Sequence, residues 1–128
     1  FAWEPDGYHA DLADVEAGFD AFWVAELDGR VVGCAGIASH KLDLPGTDCS
    51  LERMYVLREA RGHGTGSALL QTAVAGARER GAACMEIWSD KLLEDAHRLY
   101  VRFGARVVAE RIGSDPDESA EWGLLLDL

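Results

Sequence analysis

At 128 residues, with 48% apolar and 27% charged side chains, the chain suits one soluble domain, residues 1–128, with its own core. A net charge of −11 argues against nucleic acid or an anionic membrane as partner, and no apolar run approaches the ~18 residues of a membrane span. The first residues lack the basic and apolar regions of a secretory leader, and Cys34, Cys49 and Cys84 read as reduced thiols of a cytoplasmic protein.

Residues 8–20 carry Leu12, Val15, Ala17 and Phe19 among acids, a weak helical pattern. Phe22–Leu27 and Arg30–Ala38 read as two strands of a hairpin, because Asp28-Gly29 between them tolerates positive φ at both turn positions. Lys41–Asp48, with Pro45-Gly46, is a loop, and Cys49–Leu57 is the next strand. A helix then runs to about Arg80 on an apolar stripe of Leu69, Leu70, Ala73, Val74 and Ala77, with Gly81 as its stop. Ala82–Trp88 is a buried strand. Ser89 or Asp90 is placed to cap a second helix that runs to about Arg102 and ends at Gly104. Arg106–Ala109 and Trp122–Leu126 are the last strands, joined by the acidic loop Gly113–Ser119. The order β-β-β-α-β-α-β-β predicts an α/β (α+β) domain.

The charge is uneven. Residues 1–29 hold eight acids and 112–128 hold five, with no Lys or Arg in either stretch, whereas all twelve Lys and Arg lie in between. Locally acidic surface attracts cations. The four histidines have no ligand spacing with cysteines or acids, so no metal site is expected.

The most informative stretch is Arg61-Gly62-His63-Gly64-Thr65-Gly66-Ser67, between a strand and a helix. Glycines let amide N–H groups converge on an anion, and the helix N-terminus adds unpaired donors and partial positive charge. The spacing is not that of a P-loop, which needs Lys, nor of the dinucleotide fingerprint, whose third glycine is Ser67 here. A tight strand-to-helix turn is the bland alternative.

Met54–Leu70 resembles the acyl-CoA motif of the GNAT superfamily, whose pattern Gln/Arg-x-x-Gly-x-Gly/Ala is met by Arg61, Gly64 and Gly66. A second motif follows at Ala96-His97-Arg98-Leu99-Tyr100-Val101-Arg102-Phe103-Gly104, similar to the family's Ala-x-x-Leu-Tyr-x-x-x-Gly-Phe, with Ala105 in place of the Phe. The resemblance runs from about Phe22 to the C-terminus. It implies a GNAT-like mixed, mostly antiparallel sheet flanked by helices, with the family's first strand missing. It also implies an acyl-CoA-dependent N-acetyltransferase that moves acetyl from acetyl-CoA to a primary amine by direct attack in a ternary complex.

By position in the family pattern, Val56 contributes backbone contacts to pantetheine, and Arg61, Gly62, His63, Gly64, Thr65, Gly66 and Ser67 hold the diphosphate. Tyr100 matches the general acid for the departing thiolate. The family's frequent Glu before the cradle is Ser50 here, and Glu52, two residues on, is the candidate base or amine anchor; it could equally pair with a neighbouring base. Glu86 is a weaker candidate. Leu93 stands where many members have an Asn, so that contact is not carried over. The acceptor side in the family is lined by the two base-free regions, which predicts a cationic amine. An open sheet edge allows a homodimer. The alternatives are a non-catalytic acyl-CoA-binding or sensing module, favoured by Ser50, and a nucleotide-binding protein with a similar loop.

Overall fold

The computed structural model describes residues 18–40 and 42–128. β1 (Ala21–Leu27) and β2 (Arg30–Ala38) form the expected hairpin, with Asp28 at φ 52° and Gly29 at φ 80°. β3 (Cys49–Val56) leads through a 3₁₀ turn, Arg58–Ala60, into α1 (Thr65–Glu79). β4 (Cys84–Asp90), α2 (Glu94–Arg102), β5 (Arg106–Ile112) and β6 (Ala120–Asp127) follow. The sheet order is β1-β2-β3-β4-β6-β5, and every neighbouring pair is antiparallel except β3–β4. This is the mixed, mostly antiparallel sheet that the sequence implied. The expected helix over residues 8–20 falls almost wholly outside the described residues, and so does the question of a missing first strand.

Strand alternation sends Ile37, Leu51, Met85, Ile87, Leu124 and Leu126 to one face, where they pack with Leu69, Leu70, Ala73 and Ala77 of α1 and Leu99 and Tyr100 of α2. The opposite face of β3 and β4 carries Ser50 and Glu86, both buried. Asp90 does not cap α2. β4 continues through Asp90, whose carboxylate accepts the Leu92 N–H at 2.9 Å, and Leu93 occupies the N-cap with no side-chain bond. The Asp side chain closes a local turn in preference to starting the helix.

The end of α2 explains the departure at Ala105. Gly104 lies at φ 101°, the Ala105 N–H bonds the Tyr100 carbonyl at 3.0 Å and the Gly104 N–H bonds the Val101 carbonyl at 3.0 Å. In this helix stop the residue after the glycine turns back onto the last helical turn. Ala105 is buried in the core cluster beside Tyr100, so a small side chain serves there.

Candidate active site

β3 and β4 pair only along Cys49–Leu51 and Met85–Ile87, although β3 continues to Val56 and β4 to Asp90. Beyond Leu51 and Ile87 the two strands separate. A bulge on β3 accompanies the split: Cys34 pairs with Tyr55 and Gly36 with Glu52, so Ala35 alone opposes Arg53 and Met54. Arg53 adopts φ 51°, and its carbonyl accepts the Cys34 thiol at 3.2 Å. A bulge re-aims the residues that follow it.

A cavity of about 640 Å³ opens at the split. That is the size of a small-molecule site. Glu52, Arg53 and Met54 of β3, Ser89 of β4 and Tyr100 of α2 line it, so the structure brings Glu52 and Tyr100 to one space. Val56 is not among the lining residues and lies nearer the glycine turn, with its carbonyl accepting Arg61 Nε at 3.2 Å. Glu52 accepts a hydrogen bond from Ser50 Oγ at 2.8 Å. Tyr100 is 4% exposed, and burial pushes its phenol up to about 12.

The glycine turn has a distinctive feature. Among the described residues, Arg61 N–H bonds the Arg58 carbonyl and Ala68 N–H bonds Gly64, but none of the amides of residues 62–67 donates a hydrogen bond within the protein. Gly62 and Gly64 lie at φ 83° and 79°, and a Cβ at either would meet nothing within 4 Å. The row of donors therefore sits at the positive end of α1, with open space over Gly62 and Gly64 among the described residues. Gly66 faces the other way: a Cβ there would lie 3.4 Å from Leu99 Cδ2 and 3.8 Å from Met54 Cε. The turn is thus packed against the residue before Tyr100 and against the cavity's β3 wall.

Glu86 is a structural hub. Its Oε1 accepts the Asp43 N–H at 2.9 Å, the Leu44 N–H at 3.0 Å and the Thr47 hydroxyl at 2.8 Å, and its Oε2 accepts Trp88 Nε1 at 2.9 Å. The Trp88 ring carries the Arg111 guanidinium 3.9 Å from its centroid, and Arg111 pairs with Asp43 and with Glu121 at 2.9 Å. Sequence reasoning missed this wall, because its residues come from a loop and three strands. Of the C-terminal acids, Glu121 lines the cavity, Asp115 is engaged by Ser119 of its own loop, and Asp127 pairs with Arg106 at the far end of β6.

The cysteines are not poised as nucleophiles. Burial pushes Cys49 up to about 12, and burial also raises Cys34 and Cys84. Among the described residues no group of His, Cys, Asp and Glu could hold a metal ion, and no helix is long and apolar enough to cross a membrane.

The sequence profile of the acetyltransferase (GNAT) family matches residues 1–105. "Probable N-acetyltransferase camello" of Xenopus tropicalis is 36% identical over 105 residues, 73% of this chain and 44% of that protein. "Uncharacterized N-acetyltransferase YjgM" of Escherichia coli (strain K12) is 32% identical over 111 residues, 84% of this chain and 64% of that one. The chain therefore spans less than two thirds of either relative. A GNAT family acetyltransferase from Elizabethkingia anophelis, solved with acetyl-CoA bound, superposes with a TM-score of 0.74 at 16% identity, over 100% of this chain and 94% of that one. With the split β3–β4 pair, the open glycine turn and the tyrosine helix in place, the chain belongs to the GNAT acetyltransferase family.

Proposed function

We propose that this chain binds acetyl-CoA and transfers the acetyl group to a primary amine, by direct attack within a ternary complex. The observation that carries this reading is the run of amides at residues 62–67 without an acceptor among the described residues. A diphosphate supplies anionic acceptors, and the α1 N-terminus favours its charge. The turn fits that group: Gly62 and Gly64 leave the approach open, and Arg61 keeps guanidinium donors beyond the one bound to Val56. His63, Thr65 and Ser67 edge the same turn.

From there the pantetheine arm would follow β3, whose β4-facing edge loses its partner after Leu51. Val56 backbone groups lie along that path. An N–H of this segment aimed at the thioester oxygen would stabilise the developing oxyanion. Holding amine and thioester side by side supplies a further large part of the rate. Glu52 would take the amine's proton, directly or through water. Tyr100 would return a proton to the expelled thiolate. Its buried phenol stays neutral at physiological pH, and a thiolate released where water is excluded is a stronger base than in solution.

We read the acceptor as cationic. Asp43, Glu52, Asp90 and Glu121 line the cavity against Arg53 and Arg111, and Arg111 is already paired to two of these acids. The test is titration calorimetry with CoA, ATP and NAD, followed by free-thiol release from acetyl-CoA across an amine library. CoA should bind best, and polyamines or other cationic amines should turn over fastest, with KM rising in high salt. Preferential binding of ATP or NAD would sink the reading of the turn. CoA binding with no turnover on any amine would leave a binding module in place of an enzyme.

A further inference from the structure

Trp88 of β4 lies opposite Gly123 of β6, which in turn lies opposite Ala109 of β5. A Cβ at Gly123 would stand 2.8 Å from Trp88 Cη2 and 3.2 Å from Ala109 Cβ, so the glycine makes room for the indole to lie across β6. Glu86 holds the ring by its Nε1 at 2.9 Å. Arg111, on the edge strand β5, lays its guanidinium carbon 3.9 Å from the ring centroid. Held there, it donates from Nε to Glu121 at 2.9 Å and from Nη1 to Asp43, which belongs to the loop before β3. Asp43, Trp88, Arg111 and Glu121 all line the cavity. The Asp43 and Arg111 side chains are 57% and 35% exposed, so their ion pair contributes little to folding. Its larger effect is on the field in the cavity, because it sets one fixed positive charge against two carboxylates of an acidic wall.

We propose that Arg111 is a specificity-determining residue, whose guanidinium, fixed on Trp88, cancels part of the field of Asp43 and Glu121 and so sets how steeply the preference for an acceptor rises with its positive charge. This rests on the acyl-transfer reading above, with its cationic acceptor, and adds the residue that tunes that preference. The attacking nitrogen is neutral when it reacts, so the charge the wall senses is that of the acceptor's other groups. Those groups meet a wall in which Arg111 already engages two of the carboxylates. Arg111 itself touches no reacting atom in this account. It acts through the field, and Trp88, Glu86 and Gly123 keep its charge in one place.

The test compares kcat/KM for spermine, a polycation, with that for butylamine, which has no charge beyond the reacting nitrogen, at low ionic strength where the field reaches furthest. Arg111→Met should raise the spermine-to-butylamine ratio about fivefold, and Asp43→Asn should lower it by a similar factor. The two substitutions break the same ion pair, so a mere loosening of the wall would move both ratios the same way, whereas a change of charge moves them oppositely. CoA affinity by calorimetry reports that each variant is folded; if Arg111→Met does not fold, the fall expected for Asp43→Asn decides alone. Ratios that move together, or that stay at the wild-type value, would overturn the role of Arg111 while the acyl-transfer reading stands. Wild-type protein that turns over neither amine nor any other in the library would overturn the acyl-transfer reading, and the role of Arg111 with it.

Discussion

Ser50 Oγ lies 2.8 Å from Glu52 Oε1, so the residue standing where the family often has Glu is joined to the carboxylate two positions on. Both lie before the bulge, where β3 still alternates, and they share a face. A serine here directs the carboxylate toward the cavity without adding a second negative charge. Glu52→Gln should lower kcat by about 100-fold or more with acetyl-CoA affinity unchanged, the scale of losing a general base. Ser50→Ala should cost only several-fold. Steady-state kinetics with calorimetry checks both, and an unchanged kcat for Glu52→Gln would remove it from proton transfer.

Gly64 separates binding from folding. At φ 79°, with open space where a Cβ would stand, an added side chain strains the backbone by about 1–2 kcal/mol and protrudes over the amide row. Gly64→Val should therefore abolish measurable CoA binding while the urea midpoint falls only modestly. Intact CoA affinity in a folded variant would show that the diphosphate lies elsewhere.

Tyr100 makes a spectroscopic prediction as well as a kinetic one. Its phenol is raised by burial, so the folded state resists ionisation that the unfolded chain would undergo near ~10. Stability that is full below that value should fall as pH rises toward about 12. Tyr100→Phe should delete the tyrosinate absorbance that develops toward about pH 12 and lower kcat by about 100-fold or more, with CoA affinity nearly unchanged. An unchanged rate would assign the tyrosine to the core alone.

Much of this was legible in the sequence because the evidence for it is local. Asp28-Gly29, the glycines at 62–66 and Gly104 each impose a backbone state within a few residues, and the structure has a hairpin, an open turn and a helix stop at those places. The stripe from Leu69 to Ala77 likewise shows the α1 face that meets the sheet. What was hidden depends on register. The bulge at Arg53 appears only when β2 is laid beside β3, and the end of β3–β4 pairing at Leu51 only when β4 is laid beside both. The Glu86–Trp88–Arg111–Asp43 wall joins residues up to 68 positions apart and has no spacing signature.

Asp48 governs a modest part of the acid stability. Its carboxylate accepts the Ala83 N–H at 2.9 Å and the Cys84 N–H at 3.0 Å, which tie the start of β4 to the loop before β3. These bonds, the one from Ala83 first, hold its pKa below the usual carboxylate value. The stabilisation is therefore present above the unfolded pKa of ~3.9 and is lost as pH falls through the lower folded value. The group is solvent-exposed, so the effect is screened and small. Urea midpoints from pH 6 down to pH 2 should show wild type and Asp48→Asn converging below about pH 4. A gap that stays constant with pH would show that the carboxylate's charge is immaterial.

Glu86 should matter more to folding than any group proposed to act on substrate. It is 1% exposed, and its two oxygens gather the Asp43 and Leu44 amides, the Thr47 hydroxyl and the Trp88 indole. Glu86→Gln keeps the volume but turns an NH₂ toward donors, leaving buried groups unsatisfied, and should cost about 2–4 kcal/mol by urea unfolding. The damage should also have a direction. The 43–47 loop and the Trp88–Arg111 stack form the wall away from the glycine turn, so surviving folded protein should show a raised KM for the amine and a nearly unchanged Kd for CoA. A variant that weakens CoA as much as the amine would mean that the two ends of the split are not mechanically separate.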